Sequence, residues 1–351
     1  MSFNYPFILT SFFFACFLFS LIINYILLKF VQTLGIRDKE AAQVRWNPNS
    51  KPALGGISFY VIFLFAFIVT ILISPKNAVF NTQIIGILMA ATLAFVMGLA
   101  DDAFNTQALF KFLTQIICAL IIIFSGHCIT IFENQFLNYL ITVFWIVGLM
   151  NSINMLDNMD GITSIISIVI CLFMVALNIS MLNTLGYTTI LNLGILGALC
   201  GFLIYNFHPS KMFMGDTGSQ FLGLFLGTMG IDNCWNLQLP LIQNNHHLIN
   251  YVIVILVFLI PLTDTTTVVI NRLRAGRSPF IGGKDHTTHH LFFKGVTEKR
   301  IAILYFILSV VAISISYNLI FNFSNILLYF ALFYILLVFV TLYLNTVIKK
   351  S

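Results

Sequence analysis

The side chains best suited to chemistry in this sequence are carboxylates at the ends of long apolar stretches. Of the twelve acidic residues, Glu133 and Asp232 are predicted to lie on one side of these stretches and most of the others on the opposite side. A carboxylate near hydrocarbon is costly unless a metal ion, a basic group or a water-filled cavity stabilises it. This gathering predicts one polar site, whose candidate carboxylates are Asp101, Asp102, Asp157, Asp160, Asp216, Asp264 and Asp285.

A three-residue spacing of polar side chains marks the stretch NSINMLDNMDG. Its polar members are Asn151, Asn154, Asp157 and Asp160. On an α-helix each step of three residues turns the side chain by about 60°, so the set sweeps about half the circumference. Either the helix end tightens toward 3₁₀ geometry before Gly161, or a polar cavity surrounds it. Both interpretations place amide and carboxylate oxygens around a pocket, whereas ordinary interhelical hydrogen bonds would explain Asn151 or Asn154 alone.

A glycine-containing loop, FHPSKMFMGDTGSQF, leads into another apolar stretch. Gly215 and Gly218 would let the backbone approach a phosphate, and the following helix N-terminus supplies unpaired N–H donors. Asp216 between them offers a hard oxygen ligand for Mg²⁺. Taken alone, the loop also fits a simple N-cap by Asp216, Thr217 or Ser219. The other acidic motifs favour phosphate and metal binding.

An adjacent acidic pair, Asp101 and Asp102, closes the third apolar stretch, and Lys111 opens the fourth. Neighbouring carboxylates repel each other unless a cation or a proton lies between them. The pair therefore predicts either metal association or a base with an orienting partner. A solvated helix end is the alternative.

The longest loop, residues 271–300, combines cationic side chains with histidines. Guanidinium and imidazole donors suit phosphate oxygens. A zinc site would lack an obvious partner set elsewhere, so phosphate binding is favoured. The groups concerned are Arg272, Arg274, Arg277, Lys284, His286, His289 and His290.

Composition places the whole chain in a membrane. Of its 351 residues, 59% are hydrophobic and 8% charged, and the mean hydropathy is +0.98. A soluble globule has roughly 25% charged residues. The sequence predicts an all-α polytopic protein with about eleven transmembrane helices, the first of them a retained span rather than a signal peptide. The apolar stretches lie near 7–31, 53–74, 84–100, 112–126, 137–153, 162–182, 188–206, 218–231, 250–271, 301–317 and 325–347.

The distribution of Lys and Arg predicts the orientation. With the N-terminus outside, all of the seventeen except Lys76 fall on the cytoplasmic side, and such a bias marks that side. The C-terminus is then cytoplasmic in a multi-pass protein of the cell inner membrane. The net charge of +5 reflects contact with anionic lipid rather than nucleic acid. We expect one transmembrane catalytic domain, 1–351, whose active-site face comprises the cytoplasmic loops 32–52, 101–111, 154–162, 207–217 and 271–300.

The order of five motifs resembles the polyprenyl-phosphate N-acetylhexosamine-1-phosphate transferase family. The motifs are KPALGGI, GLADD, NSINMLDNMDG, FHPSKMFMGDTGS and DHTTHHL, and the resemblance covers roughly residues 35 to 300. It implies an enzyme that transfers a sugar 1-phosphate from a UDP-sugar to undecaprenyl phosphate and releases UMP. Initiation of a cell-envelope polysaccharide such as O-antigen, Mg²⁺ as cofactor with Mn²⁺ able to substitute, and a possible homodimer follow from the same resemblance.

The resemblance also implies residue roles. Asn154 and Asp216 correspond to metal ligands. Asp101, Asp102 and Lys111 correspond to catalytic residues. Nucleotide binding is implied for Asp157, Asp160 and Phe213, and phosphate binding for Gly215, Gly218, His286, His289 and His290.

Departures from the family pattern bear on the substrate. Asn158 stands where the family often has glycine, Ala53 replaces a common Pro-Arg or Pro-Thr element, and the histidines are spaced HTTHH. This spacing favours simple UDP-N-acetylhexosamines, with phospho-N-acetylmuramoyl-pentapeptide transferase as the alternative. A cation-coupled transporter is a second alternative, but it would place its acids near the bilayer midplane. Direct attack by the lipid phosphate is our hypothesis, and a covalent aspartyl-phosphate route stays open.

Overall fold

The protein is a bundle of helices in the computed structural model, which describes residues 5–31, 51–73, 81–182, 186–238, 246–279 and 282–347. Across these ranges one isolated bridge joins Ala53 to Phe213, and the regular elements are helical. The helices are α1 Tyr5–Val31, α2 Gly55–Ile73, α3 Thr82–Phe104, α4 Ala108–Phe124, α5 Gln135–Leu156, α6 Ile162–Leu182, α7 Tyr187–Asn206, α8 Gly215–Gly230, α9 His246–Val257, α10 Leu259–Arg274, α11 Thr287–Phe293, α12 Glu298–Phe321 and α13 Asn325–Val347.

The predicted all-α membrane fold is confirmed, and each of the eleven apolar stretches coincides with helix. Within the described ranges, eight helices are long and apolar enough to cross a membrane, or nine if α9 and α10 form one bent span. Helices α4 and α8 have 17 and 16 residues and are too short for that test. The count of eleven and the orientation stay predictions. Loop 32–50 and Lys76 lie outside the described residues.

The stretch predicted as one span at 250–271 is instead two helices, α9 and α10, bent by 81°. Pro261 lies in the first turn of α10 and has no N–H to donate to the carbonyl of Val257, the last residue of α9. A proline inside a helix breaks the hydrogen-bond ladder in this way. The break turns α10 toward the loop that carries the histidines.

Helix α8 lies at the centre of the bundle, and small residues allow its neighbours to approach closely. A Cβ added to Gly98 of α3 would lie 2.4 Å from the carbonyl oxygen of Asp216. A Cβ on Gly56 of α2 would lie 2.2 Å from the backbone nitrogen of Gly218. Close backbone contact at small residues is how helices associate in membranes. The packing fixes the N-terminus of α8 beside the ends of α2 and α3.

The far end of α8 carries a separate polar pair. A short π-helical turn, Ile231–Trp235, follows α8, and its Asp232 lies 3.0 Å from Nδ1 of the buried His127. At 1.5 Å per residue, Asp232 is about 24 Å along the helix axis from Asp216. This histidine–carboxylate pair is therefore remote from the chemistry predicted at the N-terminus of α8.

Candidate active site

A cavity of about 780 Å³ opens where the polar ends of α3, α4, α5, α8 and α10 converge. Eleven of the thirteen predicted site residues line it. They are Asp101, Asp102, Lys111, Asn154, Asp157, Asp160, Phe213, Gly215, Asp216, His286 and His289. Residues separated by up to 188 positions in the sequence thus form one pocket, although Asp264 and Asp285 of the seven candidate carboxylates lie outside its lining.

Lys111 is the centre of the acidic part of the cavity. Its Nζ lies 3.0 Å from Oδ2 of Asp101, 3.5 Å from Oδ2 of Asp216 and 3.5 Å from Oδ1 of Asn154. The Asn154 amide also donates to Asp216 and, at 2.8 Å, to Ser219. One ammonium group therefore offsets two carboxylates that would otherwise repel each other.

The same side chains fit a hard divalent cation. Asp101, Asp216 and Asn154 together present carboxylate and amide oxygens, the donor atoms that such cations take. The Asp216 side chain is 33% exposed, so a ligand can reach it from the cavity. The donor chemistry thus agrees with the metal ligands implied by the motifs.

Asp102 has a different set of contacts from its neighbour Asp101. Its Oδ2 accepts hydrogen bonds from the backbone N–H of Thr217 at 2.8 Å and from the Thr217 hydroxyl at 2.7 Å. Gly215 lies against the same oxygen in a left-handed conformation, with φ +72°. Asp102 therefore ties the start of α8 to the end of α3, and its catalytic role stays a prediction.

The histidine loop closes another wall of the cavity. Arg272 donates to both oxygens of Asp285, at 2.8 and 2.7 Å, and to the Pro279 carbonyl at 2.7 Å. Burial disfavours the ionised form of Asp285, but the bonds and charge of Arg272 outweigh it and hold the pKa below its usual range. This pairing fixes the loop on α10.

His289 is neutral in this setting. Burial, followed by the nearby His286, lowers the pKa of His289 to about 3. A neutral imidazole offers one donor and one acceptor rather than a positive charge. Binding of a phosphate by His289 would therefore rest on hydrogen bonding or on proton uptake with the substrate.

Comparison with known proteins identifies the family. The sequence model of Glycosyl transferase family 4 matches residues 84–233. A probable undecaprenyl-phosphate N-acetylglucosaminyl 1-phosphate transferase of Bacillus subtilis is 30% identical over 275 residues, which cover 75% of this chain and 72% of that protein. This chain belongs to glycosyl transferase family 4.

Two further relatives have names that state different activities. The decaprenyl-phosphate N-acetylglucosaminephosphotransferase of Mycolicibacterium smegmatis is 28% identical over 315 residues, 82% of this chain and 77% of that protein. The phospho-N-acetylmuramoyl-pentapeptide-transferase of Staphylococcus carnosus is 34% identical over 230 residues, 58% of this chain and 68% of that protein. The resemblance stated from the motifs is confirmed.

Two residues expected to bind phosphate in this family 4 chain lie outside the cavity lining. Gly218 is buried against Gly56 of α2, where the missing side chain serves helix packing. His290 is half-buried one residue beyond His289, and its ring contacts Phe293. Neighbouring positions on a helix face different directions, and the phosphate-binding roles of Gly218 and His290 stay predictions.

The three-residue pattern of the family 4 motif NSINMLDNMDG is not one continuous helix. Helix α5 ends at Leu156, with Asp157 as its C-cap. Asn151 and Asn154 therefore lie on the helix, while Asp160 follows in a turn. Neither a 3₁₀ helix end nor one continuous helix in a polar cavity describes all four polar residues of the motif. All four side chains nevertheless belong to residues that line the cavity.

Asp160 is held by the loop that carries Phe213. It accepts from the Ser210 backbone N–H at 2.9 Å and hydroxyl at 2.7 Å, and His208 Nδ1 lies 3.2 Å away. Ligand atoms of Asp160, His208 and Glu298 lie within 4.8 Å of one another, close enough to hold a metal ion. Lys51 Nζ, 3.6 Å from Asp160, already supplies positive charge, so we interpret the group as an ion-pair network.

A layer of amides lies below Lys111, and of its members only Asn151 was predicted from the sequence. Gln115 lies one turn from Lys111 on α4 and exchanges hydrogen bonds with Asn151 at 2.8 and 3.3 Å. It also donates to Gln220 of α8 at 2.9 Å. These amides join α4, α5 and α8, the helices that carry Lys111, Asn154 and Asp216. Polar residues inside apolar spans at these positions were the available signal.

Gly215→Ala should cost more stability and activity than Gly276→Ala. Both glycines have positive φ, +72° and +65°, so each alanine costs about 1–2 kcal/mol in backbone strain. A Cβ at 215 would also lie 2.4 Å from Asp102 Oδ2, whereas nothing lies within 4 Å at 276. Thermal unfolding in detergent and turnover of both variants would measure the difference. Equal losses would contradict the close packing of Gly215 against Asp102.

Proposed function

We propose that this protein transfers N-acetylhexosamine 1-phosphate, with N-acetylglucosamine as the sugar, from a UDP-sugar to a polyprenyl phosphate and releases UMP. The observation that carries the proposal is the cavity, which joins the Lys111 cluster to an apolar strip. The names of the Bacillus and Mycolicibacterium relatives support the same reaction. Synthesis of a cell-envelope polysaccharide is the corresponding process.

The apolar strip suits the tail of a lipid acceptor. Phe112 of α4 and Phe144, Val147 and Gly148 of α5 line the cavity. Phe144 is 70% exposed and Phe112 is 41% exposed, so this wall faces the hydrocarbon. An acceptor with a charged phosphate and an apolar tail needs a hydrated site beside such a wall. A wholly polar substrate would not need an apolar wall in its binding cavity.

The reaction needs charge compensation more than covalent help. An oxygen of the lipid phosphate attacks the sugar-bearing phosphorus, the bond from that phosphorus to the bridging oxygen breaks, and UMP leaves with the electron pair. Lys111 provides positive charge beside Asp216, and Asp101 or Asp102 accepts a proton from the lipid phosphate or orients it. Trapping a phosphorylated aspartate after UDP-sugar alone would contradict this direct route.

Mg²⁺ is the proposed cofactor, with Asn154 and Asp216 as ligands and Mn²⁺ as a substitute. When bound, it would neutralise charge on the diphosphate. Oδ1 of Asn154 and Oδ2 of Asp216 each lie 3.5 Å from Lys111 Nζ, and their shared place in the cavity lining supports this assignment. Phe213 is proposed to stack on the uracil, because the described loop holds its ring at the cavity wall beside Lys51, 5.2 Å from the ring centre.

The proposed setting is the cytoplasmic face of the inner membrane, in one catalytic domain with eleven spans. The Lys and Arg bias supports this orientation, as does a cavity built from the ends of α3, α5, α8 and α10. The homodimer stays a prediction.

The deciding experiment is release of UMP by the purified protein in detergent with undecaprenyl phosphate, Mg²⁺ and a panel of UDP-sugars. We expect lipid-dependent release with UDP-N-acetylglucosamine. Release only with UDP-N-acetylmuramoyl-pentapeptide would favour the branch of the Staphylococcus relative. No release with any donor, from protein shown to be folded, would reject the proposal.

Gly148→Leu should weaken binding of the lipid acceptor. A Cβ at Gly148 meets no atom within 4 Å, so the fold accepts a side chain there, and leucine would fill the strip along which the tail lies. We expect KM for undecaprenyl phosphate to rise about tenfold, equivalent to about 1.4 kcal/mol, with KM for the UDP-sugar little changed. Gly148→Ala is the smaller matched change and should have a smaller effect. Equal KM values for undecaprenyl phosphate in the native protein and both variants would show that the acceptor tail does not bind along this strip.

A further inference from the structure

Asp264 is a carboxylate buried in α10, 1% exposed, whose two oxygens have different partners. We infer that Asp264 is a positioning residue for the transfer reaction and acts through His286. This inference rests on the proposed function. A buried charge is stable only when it is paired and hydrogen-bonded, so the partners of Asp264 show what it holds in place.

One oxygen, Oδ1, has a structural role. It accepts from the backbone N–H of Thr287 at 2.9 Å and from the Thr287 hydroxyl at 2.5 Å. The Thr287 hydroxyl also lies 2.7 Å from the hydroxyl of Tyr305, which is fully buried on α12. These bonds join the start of α11 to α10 and α12 and so hold the histidine-bearing segment in place.

The other oxygen, Oδ2, lies 2.8 Å from Nδ1 of His286. A carboxylate can only accept here, so the imidazole carries its proton on Nδ1 and donates it to Asp264. A carboxylate in this place fixes both the tautomer and the orientation of the ring. His286 lines the cavity, and Nε2 is the ring nitrogen that remains for a substrate.

A ring held in this way can support charge on the departing UMP. A protonated His286 would donate from Nε2 to a phosphate oxygen, and the carboxylate behind it stabilises the positive ring without touching substrate. Such support counts most in the transition state, where the charge on the leaving group develops. Asp264 should therefore affect kcat more than KM for the UDP-sugar.

A merely structural Asp264 would act through Thr287 instead, and a double-mutant cycle separates the two roles. Residues that act as a unit give non-additive losses. We expect Asp264→Asn to lower kcat about 30-fold when His286 is present, within the range for groups that orient a histidine. In the His286→Gln background the same change should lower kcat by less than about threefold.

The matched control uses a histidine–carboxylate pair that lies outside the cavity. His127→Gln and Asp232→Asn remove a similar contact, 3.0 Å long, at the far end of α8. We expect each of these variants to keep kcat within about threefold of the native protein. Gel filtration and thermal unfolding in detergent would verify that every variant is folded.

The outcomes are distinct. Equal fold losses from Asp264→Asn in both backgrounds, or no loss in either, would overturn the inference while the proposed function stands. Absence of UMP release by the native protein would overturn the proposed function and the inference with it. If Asp264→Asn does not fold, Asp264→Glu, which keeps the carboxylate, enters the same cycle. Its loss of kcat should be smaller and should vanish in the His286→Gln background, and a loss that persists there would overturn the inference.

Discussion

Asp216→Asn should reduce lipid-dependent UMP release by about 10³-fold or more, since groups that stabilise transition-state charge are worth about 10²–10³ each and this residue is also a proposed metal ligand. Asparagine preserves the shape of the side chain and its place at the start of α8. It removes the charge that Lys111 offsets at 3.5 Å and one of the oxygens beside Asn154. The loss should appear in kcat. Steady-state UMP release at several Mg²⁺ concentrations would measure it.

Asp232→Asn is the matched control for this change. It is the same substitution on the second residue after the C-terminal end of α8, where Asp232 pairs with His127 outside the cavity. Activity within about threefold of the native protein is expected there, as for a position remote from the chemistry. If both variants lost activity equally, the effect would reflect damage to α8 rather than loss of a ligand, and the assignment of Asp216 would fail.

The helices followed from composition and apolar length, but the bend between α9 and α10 did not. Residues 250–271 are continuously apolar enough to suggest one span, and Pro261 alone indicates a break without its angle. The 81° turn depends on what packs around α10. Helices in membranes often tolerate proline because neighbouring groups satisfy the freed backbone groups. The sequence therefore indicates the position of a break but not the angle between the two helices.

The acidic cluster was predictable because each member belongs to a local motif. Asp101, Lys111, Asn154 and Asp216 each follow or precede an apolar stretch, and the ends of these stretches converge at the cavity. The local motifs did not predict the contacts of Gln115 or the contact between Asp264 and His286. Their roles depend on which helices are neighbours, and that information is absent from spacing along one chain.

Two carboxylates with well-defined structural contacts were expected to act on the substrate, Asp102 as a catalytic residue and Asp160 as a nucleotide-binding residue. Asp102 holds Thr217 at the start of α8, and Asp160 holds Ser210 in the loop before it. Each accepts a backbone N–H and a hydroxyl from its partner residue. Both contacts position the same segment, which carries Phe213 and Asp216. A motif rich in aspartate can therefore combine groups that meet substrate with groups that set their places.

Lys111→Met should lower kcat by about 10²-fold or more, the usual effect of removing a charge that stabilises a transition state. The Nζ of Lys111 is shared by Asp101, Asp216 and Asn154 at 3.0–3.5 Å. Methionine fills a similar volume without charge, so the two carboxylates repel each other and lose their fixed separation. Kinetics with both substrates varied would show a fall in kcat.

Lys294→Met is the control for removal of a lysine from the same face of the protein. Its ammonium group donates to the carbonyl of Asn345 at 2.7 Å and does not line the cavity, so we expect little change in turnover. Lys111→Arg should recover part of the activity, because it restores charge, but its planar fork cannot replace a point charge among three oxygens. Full activity in Lys111→Met would contradict the assignment of Lys111 to stabilisation of transition-state charge.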